Sequence, residues 1–153
     1  MKVFALTTVF LMLGLIAFGG SLSRIQVGQP PPGVNDFLHA DPFRGSKAGN
    51  TVARACGNCH SNQTSLPWYG HIAPVSWWIA GHVRQGREAL DFSDWTRYPA
   101  GIRRNELESI CGAISNGRMP PKSYTALHPE AILRAEDKKA VCAWAANELE
   151  HEK

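Results

Sequence analysis

The sequence predicts an all-α domain of about four helices, preceded by an apolar N-terminal helix. Three observations support this fold class. Apolar residues recur three or four positions apart in several segments, which is the period of an amphipathic helix. No alternation of apolar and polar residues lasts long enough to indicate a strand. The chain has 153 residues, of which 44% are hydrophobic, and this suffices for one domain with a modest core and a leader.

The first segment, residues 1–23, predicts passage into or across a membrane. Residues 3–23 carry no charge, and Lys2 precedes them. A run of this length can span a bilayer, and the cation at its start should stay in the cytoplasm. Ala17 and Gly19 also fit the small positions of a signal-peptidase site. The segment is therefore predicted to be an N-terminal membrane anchor or a signal peptide, and both place the rest in the periplasm or at the periplasmic face of the cytoplasmic membrane.

Residues 24–49 are predicted to be a linker, and residues 50–150 a single folded domain. Three consecutive prolines at 30–32 cannot continue a helix and favour an extended chain. The helical windows of the domain are residues 50–56 with Asn50 as cap, 73–90 with Pro74 near the start, 103–117 ending at Gly117, and 135–150 beginning with acidic residues.

The segment with the clearest chemistry is a Cys-x-x-Cys-His motif formed by Cys56, Cys59 and His60. This spacing is typical of covalent haem attachment, in which two thiols form thioethers and the histidine binds the iron. A dithiol redox site is a second possibility, but it is expected after a strand in a βαβ unit. Structural zinc is a third, but it requires a second ligand pair at short spacing. The exported location favours haem c.

The residue expected to bind the iron opposite His60 is Met119. It follows Gly117 in a loop stiffened by Pro120 and Pro121, whereas a methionine of the core would lie on a helix stripe. His82 is the reserve candidate. We also expect Trp68 or Tyr69, just after the motif, to donate hydrogen bonds to the haem propionates, although both could serve packing alone.

The other two cysteines, Cys111 and Cys142, lie on the apolar faces of predicted helices. They could be small buried side chains. In an oxidising compartment, an even remaining pair favours a disulfide, which would connect the helix before Met119 to the last helix.

Several of these segments together resemble the bacterial haem-binding domain family, whose members are exported monohaem proteins similar to c-type cytochromes. The resemblance rests on "ACGNCHSNQTSLPWYG", "GREALDFSDW", "MPPKSYTALHPEA" and "AVCAWA", and covers about residues 25–149. It implies haem binding and a short N-terminal anchor, but no particular reaction. Arg134 departs from the pattern, because a helix-capping Ser is expected at that position.

The function predicted from these residues is electron transfer by a monohaem c-type cytochrome with a cytochrome c-like arrangement of helices around one covalent haem. Ligation by both His60 and Met119 would leave no open position for a substrate, which suits an electron carrier more than an enzyme. The alternatives are a sensing or peroxidase-like protein with an exchangeable sixth position, and a haem subunit of a larger complex. The expected partners are unidentified redox proteins and the membrane. A net charge of +3 without basic runs gives no indication of nucleic acid binding.

Overall fold

The computed structural model describes residues 7–14, 38 and 43–151, and this part of the chain is helical with irregular connections. The longer helices are α1 (Lys47–Ala55), α3 (Val75–Ala89), α4 (Ala100–Ser115) and α6 (Ala135–His151). The short helices are α2 (Gly57–His60) and α5 (Lys122–Thr125), and 3₁₀ turns cover Trp68–His71, Phe92–Arg97 and Pro129–Ala131. The predicted all-α class and the four predicted helical windows are confirmed.

The predicted anchor or signal peptide lies mostly outside the described residues. Residues 7–14 are helical and exposed. Among the residues that the structure describes, no helix combines the length and the apolar character needed to cross a bilayer. The N-terminal anchor, the signal peptide and the choice between them therefore stay predictions.

The start of α1 differs from the sequence-based prediction. The helix is capped by Ser46, whose hydroxyl accepts a hydrogen bond from the backbone N–H of Gly49 at 2.9 Å. Asn50, the predicted cap, lies inside the helix. The hydroxyl of Ser46 satisfies an N–H group that has no partner within the helix, so the helix begins one turn earlier.

Part of the predicted linker belongs to the folded domain. Most of residues 24–42 lie outside the described part of the chain. Leu38 and Phe43, however, are buried in the core, and Phe43 packs against the ring of Trp144 with centroids 4.6 Å apart. The hydrophobic core therefore includes side chains that precede residue 50.

The core forms where α6 packs against both α4 and α1. The sulfurs of Cys111 on α4 and Cys142 on α6 are joined in a disulfide, with 5.0 Å between the Cα atoms. The buried apolar cluster comprises Leu38, Phe43, Ala48, Val52, Leu90, Phe92, Trp95, Leu107, Ile114, Val141 and Ala145. This cluster packs α1, α4 and α6 together, and the Cys-x-x-Cys-His segment begins where α1 ends.

The last helix begins without a serine cap. Arg134 precedes α6, and its backbone N–H donates to the carboxylate of Asp137 at 3.1 Å. This hydrogen bond, more than the nearby guanidinium of Arg54 at 3.4 Å, holds the pKa of Asp137 below its usual range. The carboxylate of Asp137 thus accepts the hydrogen bond that the acidic residue of a capping box accepts from the cap N–H. Its ion pair with Arg54 connects α6 to α1.

Candidate functional site

The Cys-x-x-Cys-His segment lies at the junction of α1 and α2. Cys56 ends α1, where its N–H donates to the carbonyl of Val52 at 2.8 Å. The carbonyl of Cys56 then accepts from the N–H groups of Cys59 and His60 at 3.1 and 3.0 Å. One tight helical turn therefore carries Cys56, Cys59 and His60, and neither cysteine is part of a disulfide.

The orientation of His60 is determined by a residue distant in the chain. Its Nδ1 lies 2.9 Å from the carbonyl oxygen of Leu90, just past the end of α3. A carbonyl can only accept, so Nδ1 carries the hydrogen and donates it. Nε2 is then the nitrogen with a free lone pair, as in histidine ligands whose second nitrogen is hydrogen-bonded to the protein. Phe92 packs against the ring edge-on, at a centroid distance of 6.5 Å.

Two clefts open beside this segment. The first is lined by Cys56, Cys59, His60 and Met119, together with His82. The second shares Cys56, His60 and Met119 with the first. The structure therefore brings the motif, the predicted sixth ligand and the reserve ligand to one cleft, which we call the motif cleft.

Met119 reaches this cleft because α4 ends shortly before it. Gly117 has a φ of 74°, a conformation that favours glycine, and turns the chain out of the helix as its position predicted. The N–H of Met119 then donates to the carbonyl of Ala113 at 3.1 Å, satisfying a group in the last turn. The side chain is 40% exposed and lies on the wall of the motif cleft.

His82 lies on α3, and its ring is also fixed by a backbone carbonyl. Its Nδ1 is 3.0 Å from the carbonyl oxygen of Trp78, and the two rings lie 4.3 Å apart. By the same reasoning as for His60, Nε2 of His82 is the nitrogen available to a ligand. Because Met119 and His82 both line the motif cleft, their position does not decide which of them is the sixth ligand.

The two aromatic residues predicted to contact propionates occupy different places. Tyr69 lines a third cleft that shares Cys59 and His82 with the motif cleft. Its hydroxyl lies 3.4 Å from Nε2 of His128. Trp68 is 77% exposed and lines none of the three clefts. The propionate contact stays a prediction, and the geometry favours Tyr69 over Trp68 for it.

Close packing of α3 against α2 depends on Gly86. A Cβ at this position would lie 2.6 Å from the carbonyl oxygen of Cys59 and 3.1 Å from the Cβ of Cys59. Only glycine permits this approach without displacement of the backbone. The sequence contains the glycine in "VRQGREAL", but helix periodicity does not indicate which backbone it meets.

Arg87 holds the loop that follows His60, a role that the sequence does not reveal. Its Nε donates to the carbonyl of Ser61 and its Nη2 to the hydroxyl of Thr64, both at 3.0 Å. Ser61 is fully buried, and its own hydroxyl donates to the carbonyl of Gly57 at 2.7 Å. The two bonds from Arg87 span 26 and 23 positions of the chain, so no local pattern predicts them.

Tyr124 of α5 is a second residue that sequence reasoning missed. Its hydroxyl accepts from the side-chain amide of Asn58 at 2.8 Å, inside the motif, and its ring stacks on His128 at 4.3 Å. Tyr124 lines both the motif cleft and the third cleft. It therefore connects the segment after Met119 to the Cys-x-x-Cys-His turn.

The electrostatics of the two thiols distinguish the possible chemistries. Burial raises the pKa of Cys56 to about 12, with a further contribution from Cys59, and burial also raises the pKa of Cys59. A reactive redox dithiol requires a lowered thiol pKa, so the raised pKa values of the two cysteines do not suit that chemistry. In the described part of the chain, no three His, Cys, Asp or Glu side chains cluster as they would around a metal ion. Thioethers are uncharged and fit this environment, so the donor set suits covalent haem.

The comparisons with known proteins agree with haem binding. The family model described as "Haem-binding domain" matches residues 29–147, which is most of the chain. No match is found among curated proteins or among solved structures. The paired sulfurs, the oriented imidazole and the clefts beside them lie within the matched region. The chain belongs to the haem-binding domain family.

Proposed function

We propose that this protein is a monohaem c-type cytochrome that transfers electrons at the periplasmic face of the cytoplasmic membrane or in the periplasm. The observation that supports this proposal most is the motif cleft, whose wall contains Cys56, Cys59, His60 and Met119 together. A single cleft with two attachment sulfurs and two axial donor types fits a c-type haem in a cytochrome c-like domain.

Each residue of the motif has a separate role in this proposal. Cys56 and Cys59 form the thioethers, and His60 binds the iron through Nε2. The hydrogen bond from Nδ1 to Leu90 holds the imidazole in one tautomer and one orientation. When bound, the haem supplies a one-electron couple between ferrous and ferric iron. The protein would contribute the two cysteines that attach the haem, the side chains that bind its iron, and the apolar walls of the cleft around it.

Ligation by Met119 would favour electron transfer over catalysis. Its thioether would hold the haem iron opposite His60, favour the reduced state and raise the potential relative to two histidines. The loop is suited to this role because Gly117 redirects it and the bond from the Met119 N–H to Ala113 restrains it. His82 lies on the same cleft and is the competing ligand.

Covalent attachment is tested by hot acid–acetone extraction of the purified protein. We expect the colour to remain with the polypeptide, because thioether bonds survive this treatment. In a Cys56→Ala/Cys59→Ala variant, any bound haem should move to the organic phase. Extraction of the haem from the unaltered protein would remove the c-type assignment but leave noncovalent haem binding intact.

The sixth ligand and the reaction class are tested with Met119→Ala and His82→Ala. Met119→Ala should abolish the long-wavelength absorption band of methionine-ligated ferric haem, lower the potential and open the iron to carbon monoxide. His82→Ala is the matched control and should leave all three unchanged. The reverse pattern would identify His82 as the ligand. Ready binding of carbon monoxide by the unaltered protein would favour the sensing or peroxidase-like function.

A further inference from the structure

The loop that carries Met119 depends on contacts at its two ends. At the first end, the N–H of Met119 donates to the carbonyl of Ala113 on α4 at 3.1 Å. The next two residues are Pro120 and Pro121, which have no backbone N–H to donate. The side chain of Met119 is 40% exposed, so burial in the core does not hold it in place. The position of its sulfur therefore depends on where the chain is held after the two prolines.

The chain after the prolines is held by Tyr124. The carbonyl oxygen of Pro121 accepts a hydrogen bond from the N–H of Tyr124 at 3.0 Å, which ties the start of α5 to the end of the loop. The hydroxyl of Tyr124 in turn accepts from the side-chain amide of Asn58 at 2.8 Å. Tyr124 and Met119 line the same motif cleft. One side-chain hydrogen bond thus joins the far end of the loop to the Cys-x-x-Cys-His turn.

The other hydrogen bonds of Asn58 orient its amide for this contact. Its Oδ1 accepts from the backbone N–H of Ser65 at 2.9 Å, and an N–H can only donate. Nδ2 is therefore the atom that faces Tyr124. The backbone carbonyl of Asn58 also accepts from the hydroxyl of Thr64 at 2.7 Å. Because Asn58 lies between the two cysteines of the motif, Tyr124 is bonded to the motif itself.

The ring of Tyr124 is restrained by stacking. It lies against the imidazole of His128, with centroids 4.3 Å apart and an angle of 20° between the planes. Nδ1 of His128 is 2.9 Å from a carboxylate oxygen of Glu130, and its backbone N–H donates to the carbonyl of Tyr124 at 3.0 Å. Since the ring is already held, little side-chain entropy is lost when its hydroxyl binds Asn58.

We propose that the hydrogen bond between Asn58 and Tyr124 is a latch that keeps Met119 on the haem iron. This inference rests on the proposed ligation by Met119, and it makes Tyr124 a positioning residue, because Tyr124 acts on the iron only through that ligand. While the latch is closed, the loop is tied to the turn that carries His60, the opposite ligand. When the latch opens, the bond to Ala113 remains but this second tie is lost, and the sulfur leaves the iron more often. The latch therefore sets how often the sixth position is open to another ligand.

The experiment measures the rate of cyanide binding to the purified ferric protein with its haem, followed by absorbance. Cyanide binds the iron only after Met119 has left, so at saturating cyanide the rate reports the departure of Met119. Tyr124→Phe removes the hydroxyl and keeps the ring. We expect it to raise this rate by about three- to tenfold, the range that corresponds to one hydrogen bond. The covalent haem content should be unchanged. Asn58→Ala removes the other partner and should also raise the rate.

Two controls separate positioning from a general loss of stability. In the Met119→Ala background, Tyr124→Phe should leave the cyanide rate unchanged, because no sulfur is left to position. Tyr98→Phe also removes a hydroxyl that accepts a hydrogen bond, in this case from the N–H of Asp91 at 2.9 Å. Tyr98 lines none of the three clefts. Its replacement should lower the melting temperature without changing the cyanide rate.

The outcomes distinguish the latch from the ligand assignment. If the unaltered protein lacks the long-wavelength absorption band of methionine-ligated ferric haem, Met119 is not the ligand, and the latch is refuted together with that assignment. If the band is present but Tyr124→Phe binds cyanide at the unaltered rate, the latch alone is refuted. Equal acceleration in the Met119→Ala background, or in Tyr98→Phe, would also overturn it, because the effect would then not act through Met119.

Discussion

Replacement of Gly86 by alanine tests whether close contact between α3 and the Cys-x-x-Cys-His turn holds the site together. The added Cβ would lie 2.6 Å from the carbonyl oxygen of Cys59, well inside the normal contact distance. The obstacle is backbone rather than a flexible side chain, so α3 or the Cys-x-x-Cys-His turn must move by several tenths of an ångström. Forced overpacking of this kind costs about 1–3 kcal/mol of unfolding free energy.

A second effect of the substitution has the opposite sign. Alanine in place of glycine inside a helix stabilises the folded state by about 0.5–1 kcal/mol. Gly81 isolates this gain, because it lies on the same helix and a Cβ there would meet nothing within 4 Å. We therefore expect Gly81→Ala to raise the unfolding free energy, and Gly86→Ala, in which the overpacking cost is offset by the same gain, to lower it by up to about 2.5 kcal/mol.

The measurement compares the melting temperatures and the covalent haem contents of the two variants. For a domain of this size, 1 kcal/mol corresponds to roughly 3–5 °C. Both variants share the gain from alanine, so the overpacking cost of about 1–3 kcal/mol alone should separate their melting temperatures, by about 3–15 °C. Gly86→Ala should also yield less attached haem per polypeptide, since Cys59 is the residue displaced. If Gly86→Ala melts as high as Gly81→Ala and carries the same haem, the contact does not constrain the site and the reasoning is wrong.

Two further predictions concern the groups that support the site. Arg87→Ala should lower the unfolding free energy by about 1–3 kcal/mol, because the fully buried carbonyl of Ser61 loses its donor, and thermal melting should detect this. Arg84→Ala is the matched control, because Arg84 is largely exposed and its ion pair with Glu88, at 3.8 Å, is also exposed. This variant should change the unfolding free energy by less than about 0.5 kcal/mol. Equal effects of the two substitutions would contradict the role of Arg87. Thiol labelling of the denatured, unreduced protein should leave Cys111 and Cys142 unmodified, and their replacement by alanine should cost about 3–4 kcal/mol, the closure entropy of a loop with a sequence separation of 31. Labelling of either cysteine before reduction would refute the bridge.

Helix periodicity and composition were sufficient to predict the framework of this domain. The four windows agree with α1, α3, α4 and α6, because amphipathic spacing reflects which face each helix buries. The boundaries were less predictable. Ser46 rather than Asn50 caps α1, and Asp137 rather than a serine satisfies the start of α6. Several residues near a helix end can accept the same N–H, and tertiary packing selects among them.

Haem binding was also predictable from the sequence, because the residues of the Cys-x-x-Cys-His motif are neighbours in the chain. Cys56, Cys59 and His60 occupy one helical turn, so their spacing determines which atoms can meet one cofactor. The glycine after α4 likewise predicted where the chain turns toward Met119, since a positive φ is a property of that single residue. Both inferences depend on short-range geometry alone.

Only the tertiary structure decided how this turn is held and oriented. The carbonyl of Leu90 selects the tautomer of His60, Gly86 admits the close approach of α3, and Arg87 and Tyr124 fix the segments on either side. Each of these contacts joins residues from 23 to 66 positions apart. Periodicity and motifs describe what neighbouring residues can do, whereas the partner of a backbone carbonyl or a guanidinium depends on which helices the core packs together.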